Sequence, residues 1–114
     1  MARANRASLP DGLSGTYGSP ASPSRKVWAD EYVAAFAPLL EQAKKEPGTL
    51  LYAVHRSKGD PHVFWTTEVY ADGDAFAAHS TSGVHAAASA VFTDLIAASD
   101  VTIGETLMAK GLSG

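Results

Sequence analysis

Four histidines, His55, His62, His79 and His85, are the only groups besides the carboxylates poised to exchange protons near neutral pH. His79 follows the run Ala75-Phe76-Ala77-Ala78, so its surroundings should be partly apolar, and it is the first candidate for a general base. Glu68 sits in a β-rich stretch, where it is placed either to orient that histidine or to form an ion pair across an interface. Tyr52, His55, Phe64 and Trp65, with His85, are candidates to line a cavity for a flat aromatic ligand, because aromatic rings stack on such molecules. For any single one of Tyr52, His55, Phe64 and Trp65, plain core packing is the stronger reading. His79, His85 and Glu68 would also supply two histidines and a carboxylate, the ligand set of non-haem iron. Six positions apart on one helix, however, the two histidines would point in different directions, and no metal is assigned. The chain has no cysteine, which removes thiolate catalysis, disulfides and cysteine metal sites. Its glycines form no phosphate-cradling motif and no Ser-His-Asp order is readable, so no cofactor is assigned.

These groups must be held by very little protein. At 114 residues the chain makes one domain at most, enough for one sheet covered by a pair of helices. A hydrophobic fraction of 46% against 18% charged residues is too apolar for disorder, and no uncharged apolar run is long enough to span a membrane. Nine Lys and Arg against twelve Asp and Glu leave a net charge of -3, without the basic footprint that nucleic acid demands. The first residues are basic but no apolar core follows them, so they do not read as a secretory signal, and a cytoplasmic location is expected.

Residues 1–26, rich in Gly, Pro, Ser and Ala, read as a mobile tail with a short extended piece near Gly15 to Tyr17, and residues 27–112 as the folded domain. From Lys26 to Glu46, Val27, Tyr32, Val33, Phe36, Leu39, Leu40 and Ala43 recur at helical spacing, with Pro38 expected to kink or break the helix and Pro47-Gly48 to end it. Thr49 to Ser57 and His62 to Tyr70 are rich in β-branched and aromatic residues around a Lys58-Gly59-Asp60-Pro61 turn, which predicts an antiparallel hairpin. Asp72-Gly73-Asp74 offers a helix cap before Ala75 to Ser80, and Ser82-Gly83 a local break before a second helix, Val84 to Ala98. Asp100 to Ala109 alternates as a last strand.

Alternation puts Leu50, Tyr52 and Val54 on one side of the first hairpin strand and Leu51, Ala53 and His55 on the other. Its partner repeats the pattern, with Val63, Trp65, Thr67 and Val69 opposed to Phe64, Thr66, Glu68 and Tyr70. Both sides carry apolar groups, yet the helices can cover only one. The expected cover for the open face is a second copy of the chain, sheet against sheet; the alternative is the N-terminal segment.

Taken in order, Glu46-Pro47-Gly48-Thr49-Leu50-Leu51-Tyr52, Asp60-Pro61, Glu68-Val69-Tyr70, Ala75-Phe76 with His79, and Ser82-Gly83-Val84-His85 resemble the antibiotic biosynthesis monooxygenase domain over about residues 27–109. The resemblance implies an α+β, ferredoxin-like antiparallel sheet with helices on one face, paired into a dimeric α/β barrel. Here the first strand is expected to be missing or degenerate. It further implies an oxygenase without metal or flavin, in which a base removes a phenolic proton from a quinol-type substrate that then reacts with oxygen, His79 and Glu68 carrying the chemistry. Ser89 stands where haem-degrading relatives carry their axial histidine, which disfavours haem oxygenation. Two other outcomes fit the same fold: an isomerase shuttling protons between His79 and Glu68, and a non-catalytic dimer that only binds its ligand.

Overall fold

The computed structural model describes residues 1–9 and 25–112. Its elements run β1 (Ala2–Ser8), α1 (Arg25–Lys44), β2 (Thr49–Arg56), β3 (Val63–Tyr70), α2 (Gly73–Ser80), α3 (Gly83–Leu95) and β4 (Ala98–Gly104). The four strands form one antiparallel sheet in the order β2-β3-β1-β4. This is the ferredoxin-like arrangement, two split β-α-β units whose outer strands flank β3 and β1.

The first strand is present, which corrects the assignment of residues 1–26 to a tail: Ala2–Ser8 lies in the middle of the sheet, paired with β3 on one side and β4 on the other. Three alanines, two arginines, an asparagine and a serine have little intrinsic preference for a strand. Two partner ladders override that weak preference, because every backbone N–H and C=O of a central strand finds a mate. Small side chains also suit the place, since Ala7 is 1% exposed beneath the helices. Leu9 continues the strand into the core, its amide donating to the His62 carbonyl at 2.9 Å. The extended piece expected near Gly15 to Tyr17 lies outside the described residues.

α1 runs unbroken through Pro38. Pro38 and Ala34 both face solvent, so the carbonyl that loses its partner can turn to water. The buried stripe of this helix, Trp28, Tyr32, Phe36 and Leu39, packs on Ala7 and Phe64 of the sheet and on Ala88 and Leu95 of α3. Tyr32 is the hub: its ring centroid lies 5.1 Å from Phe36, 4.8 Å from Phe64 and 5.2 Å from Phe92.

The hairpin forms within a residue of its expected limits, with an irregular register at Thr49/Leu51. Gly48, just before it, lies so close to Ala75 of α2 that a Cβ there would collide with the alanine's. That approach seats α2, which carries His79, on the turn after α1. α3 stops at Leu95, and β4 begins at Ala98 rather than Asp100 and ends at Gly104, short of the expected Ala109. Both faces of β4 are exposed along its whole length.

A candidate active site between the sheet and the helices

Alternation along each strand sends Arg3, Asn5, Tyr52, Thr66 and Glu68 toward the helices, where with rings from α1 and α3 they enclose a cavity of about 340 Å³. Tyr32, Phe36 and Phe92 give it apolar lining, and His79 and His85 line it as well. Of the sequence candidates, the cavity therefore collects Glu68, His79, Tyr52 and His85. Phe64 lies deeper, 1% exposed in the core, with the Arg56 guanidinium 5.0 Å above its ring. His55 and Trp65 do not share the cavity: they stack on each other on the reverse face of the sheet, 5.2 Å between centroids, with His55 Nε2 3.1 Å from Thr67 Oγ1. The expected common pocket for Tyr52, His55, Phe64 and Trp65 is thereby corrected. Phe64 and Trp65 are neighbours in one strand, and a two-residue period must send them to opposite faces.

Two carboxylates divide the polar work. Glu68, 2% exposed, is taken up wholly by its own sheet: Arg3 Nη1 donates to Oε2 at 2.7 Å, Thr66 Oγ1 to the same oxygen at 2.7 Å, and Tyr70 OH to Oε1 at 2.6 Å. Arg3 and Glu68 are direct cross-strand partners, so the register of β1 on β3 makes this pair. Glu68 does not touch His79. That contact belongs to Glu46, whose Oε1 lies 2.8 Å from His79 Nδ1. Thr49 Oγ1 donates to the same oxygen at 3.0 Å and Gln42 Nε2 to Oε2 at 3.2 Å. Burial works to raise the Glu46 carboxyl, but the hydrogen bonds from His79, Gln42 and Thr49 and the charge of His79 outweigh it, and the net shift is downward. An ionised carboxylate only accepts, so His79 carries its proton on Nδ1 and turns Nε2 away from Glu46.

Glu46 was visible in the sequence only as part of the Glu46-Pro47-Gly48 helix exit. The tight packing of Ala75 on Gly48 brings α2, and with it His79, against that exit. Asp72 caps α2 by accepting from the Ala75 amide at 2.8 Å. The break after α2 then does what a continuous helix would not. Ser82 Oγ donates to the His79 carbonyl at 3.0 Å and accepts from the His85 amide at 3.1 Å, capping α3. Two residues separated by six positions, expected to diverge, instead bring their rings to 5.4 Å, edge to face. Tyr52 and Tyr70 flank His79 on its other sides, at 5.3 and 5.5 Å. Burial, joined by the Glu68 charge for Tyr52 and by the Glu68 hydrogen bond for Tyr70, raises both phenols, so they stay protonated and serve as donors. Burial alone pushes Tyr32 up to about 12.

Asn5 adds one further polar feature. Its Oδ1 is buried without a hydrogen-bond partner, and the residue lines the cavity. A desolvated acceptor costs free energy unless a donor reaches it, so this oxygen can accept from a water or from a hydroxyl or N–H that enters the cavity. Among the described residues no group of three or more His, Asp and Glu side chains is disposed to hold a metal ion. A second, wholly apolar groove of about 390 Å³ between α1 and α3, lined by Ala35, Pro38, Val84 and Val91 among others, carries no titratable side chain. It has nothing with which to move a proton. No helix among the described residues is long and apolar enough to cross a membrane.

Known proteins agree with this architecture. The chain superimposes on a Nitrosomonas europaea protein assigned to the antibiotic biosynthesis monooxygenases with a TM-score of 0.75 at 19% identity, over 94% of this chain and 98% of that one. A Bacteroides thetaiotaomicron protein with the same assignment gives a TM-score of 0.76 at 20% identity, covering 100% of this chain and 94% of the other. SnoaB, a cofactor-independent oxygenase from Streptomyces nogalater, gives 0.71 at 15% identity over 95% and 93%. At such identities the likeness is one of fold. No curated protein matches the sequence. The family profile for antibiotic biosynthesis monooxygenases aligns with residues 25–91, a stretch that holds α1, the hairpin, the Glu46–His79 pair and His85, and on that match the chain belongs to the antibiotic biosynthesis monooxygenase family.

Proposed function

We propose that the chain is a monooxygenase that needs no metal or flavin and oxidises a small phenol- or quinol-type aromatic with molecular oxygen. Membership of the family and the likeness of fold to a cofactor-independent oxygenase support the reaction class. The observation that carries the reading is the cavity itself, lined both by aromatic rings and by a carboxylate-anchored histidine beside a second histidine. An electron-rich anion is what reacts with oxygen in such chemistry, so the protein's task is to hold the ring, accept its hydroxyl proton and keep water out. In this reading Asn5 Oδ1 accepts a second hydroxyl of the substrate, and Glu68, bound to Arg3, fixes the polar floor. The test is oxygen uptake with a panel of hydroquinones and anthrones. Wild-type protein is expected to consume oxygen, and His79→Ala, which removes the ring packed against His85, to slow it by roughly a hundredfold. No uptake by wild type would remove the oxygenase reading; undiminished uptake by the variant would remove His79 from the site.

We further propose a cytoplasmic homodimer formed through the open face of the sheet. Trp65, 38% exposed, lies there beside His55, Leu51 and Ala53, and the helices all sit on the reverse side. The exposed Leu107 and Met108, just after β4, add apolar surface that a second copy would cover. Sedimentation velocity is expected to show a two-protomer species; a well-folded lone protomer at high concentration would overturn the pairing.

A further inference from the structure

We infer that His85, rather than His79, takes the substrate's proton, and that His79 is a positioning residue locked by Glu46. The inference rests on the oxygenase reading only for the kind of molecule that gives up the proton. His79 is 2% exposed, its Nδ1 is committed to Glu46, and rings of Tyr52, Tyr70 and His85 close around it. It has little surface left to offer a ligand. His85 lines the same cavity but is only partly buried, and the Ser89 hydroxyl oxygen lies 3.4 Å from its Nδ1. In the tautomer that directs Nδ1–H at Ser89, the lone pair on Nε2 is free, and no hydrogen bond engages that nitrogen among the described residues.

Position in the fold favours a neutral ring. His85 lies in the first turn of α3, where the positive end of the helix dipole opposes an imidazolium. The charged groups that act on it are Arg3 of β1, His79 of α2, Glu68 of β3 and Glu46 in the turn between α1 and β2. Burial, then His79 and Arg3, lower its pKa, while Glu68 and Glu46 act the other way, and the net shift is downward. At neutral pH the ring is thus an unprotonated acceptor at rest. In the step, the phenolic O–H bond breaks, an N–H bond forms on His85 Nε2, and the electron pair stays on the phenolate oxygen, so no oxidant or reductant is involved. The resulting imidazolium faces a phenolate in a cavity partly walled by apolar rings, where their attraction is stronger than in bulk water.

A chromogenic phenol, 4-nitrophenol, tests this without oxygen. Bound to wild-type protein, it is expected to show the phenolate absorbance at a pH below that needed in buffer. His85→Gln should reduce the bound phenolate roughly tenfold or more, a loss of at least one pKa unit, whereas His79→Gln, which can still donate to Glu46, should retain most of it. The reverse order, equal losses in both variants, or no phenolate on wild type would each overturn the assignment. Should His85→Gln fail to fold, wild-type protein labelled at the histidine ring carbons answers instead. On binding the probe at neutral pH, the His85 signal should move to the protonated position and that of His79 should stay; the opposite would overturn the inference. Oxygen uptake is followed in parallel. Wild type that ionises the probe but consumes no oxygen with any quinol supports the His85 assignment while removing the oxygenase reading.

Discussion

A chain from which Ala2–Ser8 has been deleted is expected to lose its cooperative fold. These residues form the strand between β3 and β4, with seven register partners on each side. Their removal leaves β4 with no neighbour in the sheet and exposes one edge of β3. It also takes away Ala7 and Arg3, the one packed under α1 and the other the counter-charge of a buried carboxylate. Backbone hydrogen bonds contribute about 1 kcal/mol each, so losing two ladders approaches the whole stability of a domain, about 5–15 kcal/mol. Near-ultraviolet circular dichroism and guanidinium titration should show no sharp transition. The single substitution Ala7→Asp should move in the same direction by about 4 kcal/mol or more, since it buries an unpaired charge. A truncated chain that unfolds with the midpoint of the intact one would make β1 an ornament and restore the tail.

Arg3→Met should have the next largest effect. Glu68 has a side chain only 2% exposed, and Arg3, at 21%, is its counter-charge at 2.7 Å. Taking away one member of a buried pair strands the other, a loss of about 3 kcal/mol or more. Thr66 and Tyr70 would still donate to the carboxylate but cannot neutralise it. The second substitution identifies the cause. In Arg3→Met with Glu68→Gln no charge remains buried at this pair, the amide oxygen keeps one hydroxyl donor while the other hydroxyl can turn to accept from the amide NH2, and roughly 1–2 kcal/mol should return. Urea titration at one fixed protein concentration measures both, since any self-association would otherwise change the apparent stability. A loss below about 1 kcal/mol in the single variant, or no recovery in the double, would mean that the pair contributes as a surface ion pair does.

How much of this could be read from residue order alone follows from the range of the interactions. The hairpin, the amphipathic stripe of α1, the Asp72 cap and the break at Ser82-Gly83 were legible because each is dictated within a few residues, by alternation, by a helical period, or by a side chain reaching its own backbone. β1 was not legible. Its alanines and arginines carry no strand signal, and what makes them a strand is two ladders contributed by residues 63–69 and 98–104. The candidate site divides along the same line. His79, His85, Glu68 and Tyr52 stood out by residue type and motif and do meet in one cavity. His55 and Trp65 stood out equally and belong to the other face.

The carboxylate that holds His79 is the clearest case. Glu68 and Glu46 are the same residue type, and Glu68 is the nearer to His79 in the chain, yet the bond goes to Glu46, 33 positions away. By itself the sequence determined the α+β composition, the two-faced hairpin, the histidines available for proton transfer and the family motif. Only the tertiary structure decided which carboxylate meets which partner, because a strand register sends Glu68 to Arg3 and a glycine without a side chain lets α2 settle on the turn beside Glu46. Those choices depend on contacts between segments distant in the chain, and local spacing carries no record of them.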